Sequence, residues 1–152
     1  MTHPQDIEYW ELTGNPSGEI YCRLISFLCR HSDRFYFVTR KELICDPAAL
    51  ERFMPYVARQ YKSKTWAGTQ TKGPAATIYE MEVGDGTCRL LQESANSLYE
   101  WTAPRLPEDL TFIKNGFTWF SCTTHEETAG FWITPGFRKQ LDEVPGLHLI
   151  KA

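Results

Sequence analysis

The segment "LPEDLTFIKNGFTWFSCTTHEETAGFW", residues 106–132, holds the pattern that most restricts the fold. Asn115-Gly116 lies between two runs of alternating apolar residues, and both residues tolerate the positive φ of a two-residue type I′ turn. The pair therefore predicts a tight antiparallel hairpin. Its register would set Lys114 opposite Phe117, Phe112 opposite Trp119 and Leu110 opposite Ser121. One face then carries Leu110, Phe112, Phe117 and Trp119, and the other Ile113, Phe120 and Cys122. Apolar residues on both faces place the hairpin centrally, covered on each side.

Other elements follow from periodicity. "IEYWEL" (7–12) reads as a short strand before the breaker "TGNPSG". Ile20, Leu24, Phe27, Leu28 and His31 recur at helical spacing, which predicts a helix over 19–31. "RFYFVTR" (34–40) and "ATIYEMEV" (76–83) alternate and are rich in β-formers, so both read as strands. "CDPAALERFMPYVARQYK" opens with Asp46 as N-cap and Pro47 at the first helical position, which predicts a helix kinked at Pro55. Residues 63–75 read as a polar loop, and 87–101 as two helical pieces broken near Ser94. "APRLP" should be extended, because Pro104 and Pro107 oppose helix. A helix is expected at 125–132, another from Thr134-Pro135 through Glu143, and a closing strand within 146–151. The fold class is α+β (mixed α/β): a small, mainly antiparallel sheet with the 110–122 hairpin at its centre and helices packed on it.

At 152 residues the chain is expected to form one globular domain, long enough for a proper core. The formal charge of −3 argues against a general nucleic-acid binder, which carries a basic excess. Aromatics at 14% suit either a dense core or an interface. The longest apolar run near the start is interrupted by Arg23 and Ser26 and is too short for a membrane span. The polar, acidic start "MTHPQDIEYWE" does not read as a secretory signal. Five irregularly spaced cysteines fit reduced thiols, which makes the cytoplasm the expected compartment. No metal and no cofactor is expected.

Chemistry has few places to reside. His125 and Glu126, with Asp109 across the sheet end, could serve as base and orienter. The zinc-protease spacing is absent, because position 129 is Ala. Thr124 with Glu127, or Thr123 with Glu126, also fits a helix capping box, and that reading is preferred. Glu108 and Asp109 are adjacent on an extended segment and should point to opposite sides. Either could instead pair locally with Arg105. Arg59, Lys62, Lys64 and Lys72, interleaved with Tyr61 and Trp66, could grip a phosphate or stack a base, although a solvated basic face is the more ordinary reading. Cys122, three residues before His125, suggests a Cys–His nucleophile only weakly, since a buried thiol is usually a small hydrophobe.

Ser97, Leu98, Tyr99, Trp101, Pro107 to Leu110, Phe112, Trp119, Phe120, His125 and Glu126 form the string S-L-Y-x-W, P-E-D-L-x-F, W-[FL], H-E. Over about a quarter of the chain it resembles a family of small uncharacterised bacterial proteins with no assigned activity. That resemblance implies a bacterial origin and no mechanism. The leading expectation is a non-enzymatic binding protein of immunity, antitoxin or accessory-subunit type, with Trp66, Tyr99, Trp101 and Trp132 as candidate anchors for a protein partner. The alternatives are a small hydrolase-like enzyme using His125, Glu126 and Asp109, and a nucleotide or RNA module using the 59–72 segment.

Overall fold

The computed structural model describes residues 6–152; most of the polar amino-terminal stretch, residues 1–5, lies outside them. Ten strands are assigned: β1 (Glu8–Leu12), β2 (Arg34–Thr39), β3 (Val57–Ser63), β4 (Thr65–Trp66), β5 (Thr69–Gln70), β6 (Ala76–Glu82), β7 (Glu108–Lys114), β8 (Phe117–Thr123), β9 (Thr128–Ile133) and β10 (Leu149–Lys151). The helices are α1 (Glu19–His31), α2 (Pro47–Glu51) and α3 (Asp85–Ser94), joined by several 3₁₀ turns. Eight strands form one sheet in the order β10-β1-β9-β8-β7-β2-β6-β3, and β4 with β5 makes a separate small hairpin. Every pairing is antiparallel. The fold is α+β, with strands dominant.

The first face of the sheet packs against helices. α1 buries Tyr21, Leu24, Ile25, Phe27 and Leu28, the stripe its periodicity predicts. These residues meet Leu90 and Leu91 of α3 and the phenylalanines at 35, 37, 112, 120 and 131 from β2, β7, β8 and β9. Trp101 is wholly enclosed here, and its indole N–H donates to Tyr21 Oη at 2.8 Å. Tyr21 in turn donates to the Leu91 carbonyl at 2.7 Å, so the one polar chain crossing this core is satisfied.

The hairpin turn forms at Asn115 and Gly116, with φ of 50° and 77°, and Lys114 pairs with Phe117 as expected. Beyond that the register differs. Phe112 pairs with Phe120, not Trp119, because β8 carries an extra residue between Thr118 and Phe120. The bulge turns Trp119 and Phe120 both into the core, alongside Cys122, while Phe117 stays 47% exposed.

Three other expectations are overturned. The helix opened by Asp46 does form, with Asp46 accepting from the Ala48 amide, but it ends at Glu51. Pro55 stops it, a 3₁₀ turn follows at Met54–Tyr56, and residues 57–63 become the edge strand β3. Residues 125–132 are not helical. A 3₁₀ turn at Thr124–Glu126 ends on Glu127 at φ 49°, and the chain reverses into β9. No capping box exists there, since no helix starts. The 102–106 stretch turns, with the Leu106 amide reaching the Thr102 carbonyl at 3.1 Å, instead of running extended. The 63–75 loop holds the small β4–β5 hairpin.

Candidate functional site

The β4–β5 hairpin folds over the second face of the sheet and creates the most polar interior of the molecule. Trp66 lies against Tyr36, Val38, Ala76 and Ile78, a minor core opposite the helices. The Ala67 amide donates to Tyr36 Oη at 3.0 Å, which ties the hairpin tip to β2. Gly68, at φ 74°, approaches Thr123 so closely that a Cβ there would stand 2.9 Å from its Oγ1. Glycine is required by both conformation and space.

Beneath the hairpin, β7 starts with a bulge. Tyr36 pairs with Thr111 and Val38 with Glu108, so two steps of β2 are matched by three of β7. Asp109 takes up the excess at φ 58°, an uncommon conformation for a residue with a side chain. The alternation that should point Glu108 and Asp109 to opposite sides is thereby cancelled, and both are 1% exposed. Asp109 Oδ1 accepts from the Thr124 amide at 2.9 Å and Oδ2 from the Trp66 indole at 2.7 Å. Its own amide donates to Thr124 Oγ1 at 3.4 Å. These bonds make Asp109 a structural clamp joining the hairpin, β7 and the 124–126 turn.

Glu108 is the carboxylate that meets the histidine. Its Oε1 lies 2.6 Å from His125 Nε2 and 3.8 Å from Arg40 Nε. The contacts are ionic and poorly directed: neither Glu108 oxygen accepts a hydrogen bond in line with a donor, and Arg40 Nε has no acceptor in line. Burial pushes the Glu108 carboxyl above its usual range, and the facing His125 and Arg40 pull it partly back. The Arg40 guanidinium lies 5.0 Å from the centre of the Trp66 ring, so cation, indole and two acids form one cluster. His125 keeps a 48% exposed side chain at its outer edge. A buried carboxylate holding a half-exposed imidazole through Nε2 can position that ring for proton transfer.

The sequence brought the right region forward with the wrong partner. His125 and Asp109 are neighbours in the cluster, but Asp109 is consumed by Trp66 and Thr124. Glu126 lies exposed in the turn. Arg105 pairs with Glu100 at 3.4 Å and with neither acid of "PED". Cys122 is fully buried beside Thr124 Oγ1 at 3.5 Å, and burial pushes its thiol up to about 12, the opposite of an activated nucleophile. Arg40 carried no local signal in the sequence.

Among the anchor candidates, Trp66 and Trp101 are interior residues that present little or no ring to solvent. Tyr99 and Trp132 are half-buried. Trp132 stacks on Tyr9 of β1, with ring centres 4.6 Å apart. Register sets both on the second face, because Phe131 and Ile133 of β9 point into the helical core. Nearby, where β1 begins and the hairpin turns, Ile7, Phe117, Trp119, Trp132 and Phe137 line a cleft of about 350 Å³. The basic residues are spread out: Arg59 and Lys62 on β3, Lys64 before β4 and Lys72 after β5, all exposed. Arg59 stacks on Tyr61 at 4.3 Å.

No family model, no curated protein and no solved structure matches this chain. No helix among the described residues is long and apolar enough to cross a membrane.

Proposed function

We propose that this chain is a small binding protein of the bacterial cytoplasm, of immunity, antitoxin or accessory-subunit type, acting through protein–protein contact. The observation that carries the reading is the aromatic surface around Tyr9 and Trp132, continuous with the cleft of Ile7, Phe117 and Phe137. Phe117 is 47% and Ile7 36% exposed, and exposed apolar groups clustered in this way mark binding surfaces more often than isolated ones do. Glu126 and Glu127 are exposed at the opposite end of β9, and Glu11 faces Gly130 at its middle. The partner of best fit offers an apolar anchor flanked by basic side chains.

The test is affinity purification of the tagged chain from the cells that express it, beside Trp132→Asp. A stoichiometric partner retained by the wild type and lost by the variant, with the fold intact, is expected. An absence of any stoichiometric partner contradicts the reading.

The Glu108–His125 contact favours a second reading, a small hydrolase-like enzyme in which His125 moves the proton and Glu108 orients it. In that case His125→Ala abolishes a reaction that the purified protein performs. If His125→Ala changes thermal stability alone, the enzyme reading fails.

A further inference from the structure

Two cysteines that the proposed binding surface does not use meet between α1 and α3. Gln92 of α3 donates from Nε2 to the Cys22 carbonyl at 2.9 Å and to Ser26 Oγ at 2.8 Å, both on α1. Tyr21 Oη reaches the Leu91 carbonyl a residue away, which fixes the two helices side by side in one register. One turn from Gln92 toward the start of α3 is Cys88. Three residues from Ser26 toward the end of α1 is Cys29. Positions three and four apart share a helix face, so this register brings the two cysteines opposite each other. Both open onto one cleft of about 410 Å³, shared with Ser26, Arg30 and Asp85.

We propose that Cys29 and Cys88 form a hydroperoxide-reactive dithiol site that closes to a reversible intramolecular disulfide. The roles differ. The thiol–thiol interaction holds Cys88 below the usual thiol range and raises Cys29, which is also the more deeply buried. Cys88 lies near the amino end of α3, where the helix also favours a thiolate. Its thiolate attacks one oxygen of the peroxide, the O–O bond breaks, and hydroxide leaves, so that sulfur becomes a sulfenic acid. Cys29 then attacks that sulfur. An S–S bond forms, the S–OH bond breaks, and the Cys29 proton departs with the hydroxyl as water. Two sulfurs lose one electron each, and the peroxide takes up both. A small-molecule thiol reverses the step by disulfide exchange.

Other pairings are excluded by geometry. Cys22 and Cys29 are seven residues apart on one helix, about 10.5 Å of rise, which exceeds the reach of a disulfide. Cys122 is closed inside the core, and Cys45 lies on the far loop before α2.

The test treats the purified full chain with hydrogen peroxide, blocks the remaining thiols with an alkylating agent, and maps peptides without reduction. The expected product links Cys29 to Cys88, leaves three of the five thiols free, and reverts on adding dithiothreitol. In Cys29→Ser, Cys88 stops at the sulfenic acid and is trapped by dimedone. In Cys88→Ser, peroxide consumption by the remaining thiols falls about tenfold, to that of ordinary cysteines. A wild-type map with no Cys29–Cys88 peptide overturns the proposal, as does Cys88 reacting no faster than Cys45. Wild-type mapping needs no variant to fold.

Discussion

Over β2, β6 and β7 the second face of the sheet lies beneath the 65–70 hairpin, while over β1 and β9 the same face carries the half-exposed stack of Tyr9 on Trp132. Both regions contain tryptophan at their centre and acids nearby. In the covered region the indole N–H of Trp66 is spent on Asp109, and the tip of the hairpin is hydrogen-bonded to Tyr36. At Trp132 the neighbouring strand leaves space only for glycine: a Cβ at Gly130 would stand 2.5 Å from the Tyr9 ring and 2.6 Å from the Trp10 carbonyl. One region is closed by polar bonds, and the other is kept flat beneath an aromatic pair. The contrast separates what holds the fold from what is left for a partner.

The largest effect is expected where the covered region is clamped. Asp109→Ala strands two buried donors and sets alanine at φ 58°, costing about 4 kcal/mol in urea unfolding, whereas Asp109→Asn, which tolerates that φ and keeps one acceptor, costs about half as much. Equal costs for the two would show that the clamp matters less than volume. Next, Gly130→Val forces Tyr9 and the β1 backbone apart and lowers stability by about 3 kcal/mol, with the Tyr9–Trp132 stack lost from near-ultraviolet circular dichroism. Trp66→Phe preserves the ring but removes the donor to Asp109, for about 2 kcal/mol.

The smallest effect is a pH dependence. Glu108 has its carboxyl raised, chiefly by burial, so the folded state holds its proton more tightly than the unfolded state does. Its contribution to stability is therefore full below the unfolded value of about 4.5 and is lost as pH rises through the higher folded value. Urea unfolding of wild type and Glu108→Gln across pH 4 to 7 should show the wild type losing ground to the variant as pH increases. The opposite slope would mean that His125 and Arg40 stabilise the charged carboxylate outright.

Much of the fold was legible because burial on one side imposes a period. β1, β2, β6 and α1 follow their alternation or helical stripe closely, and Asn115-Gly116 announced its turn through backbone conformation alone. β3 was not legible: Arg59, Gln60 and Lys62 are exposed on an edge strand, so no apolar period survives. β9 was misread because Thr-x-x-Glu spacing before "TAGFW" imitates a helix start, while Glu127 at φ 49° reverses the chain. The bulge at Asp109 decided the site. It is set by pairing with β2, a long-range cause that spacing within "PEDL" does not record, and it exchanged the expected Asp109–His125 pair for Glu108–His125.

The most direct measurement compares Trp132→Asp with Trp66→Phe in two assays, thermal unfolding and retention of the co-purifying partner. Trp132→Asp is expected to lose the partner while melting close to wild type, and Trp66→Phe to keep the partner while melting lower. A partner retained by Trp132→Asp, or lost only by Trp66→Phe, would contradict the division of this face into a closed region and a binding one.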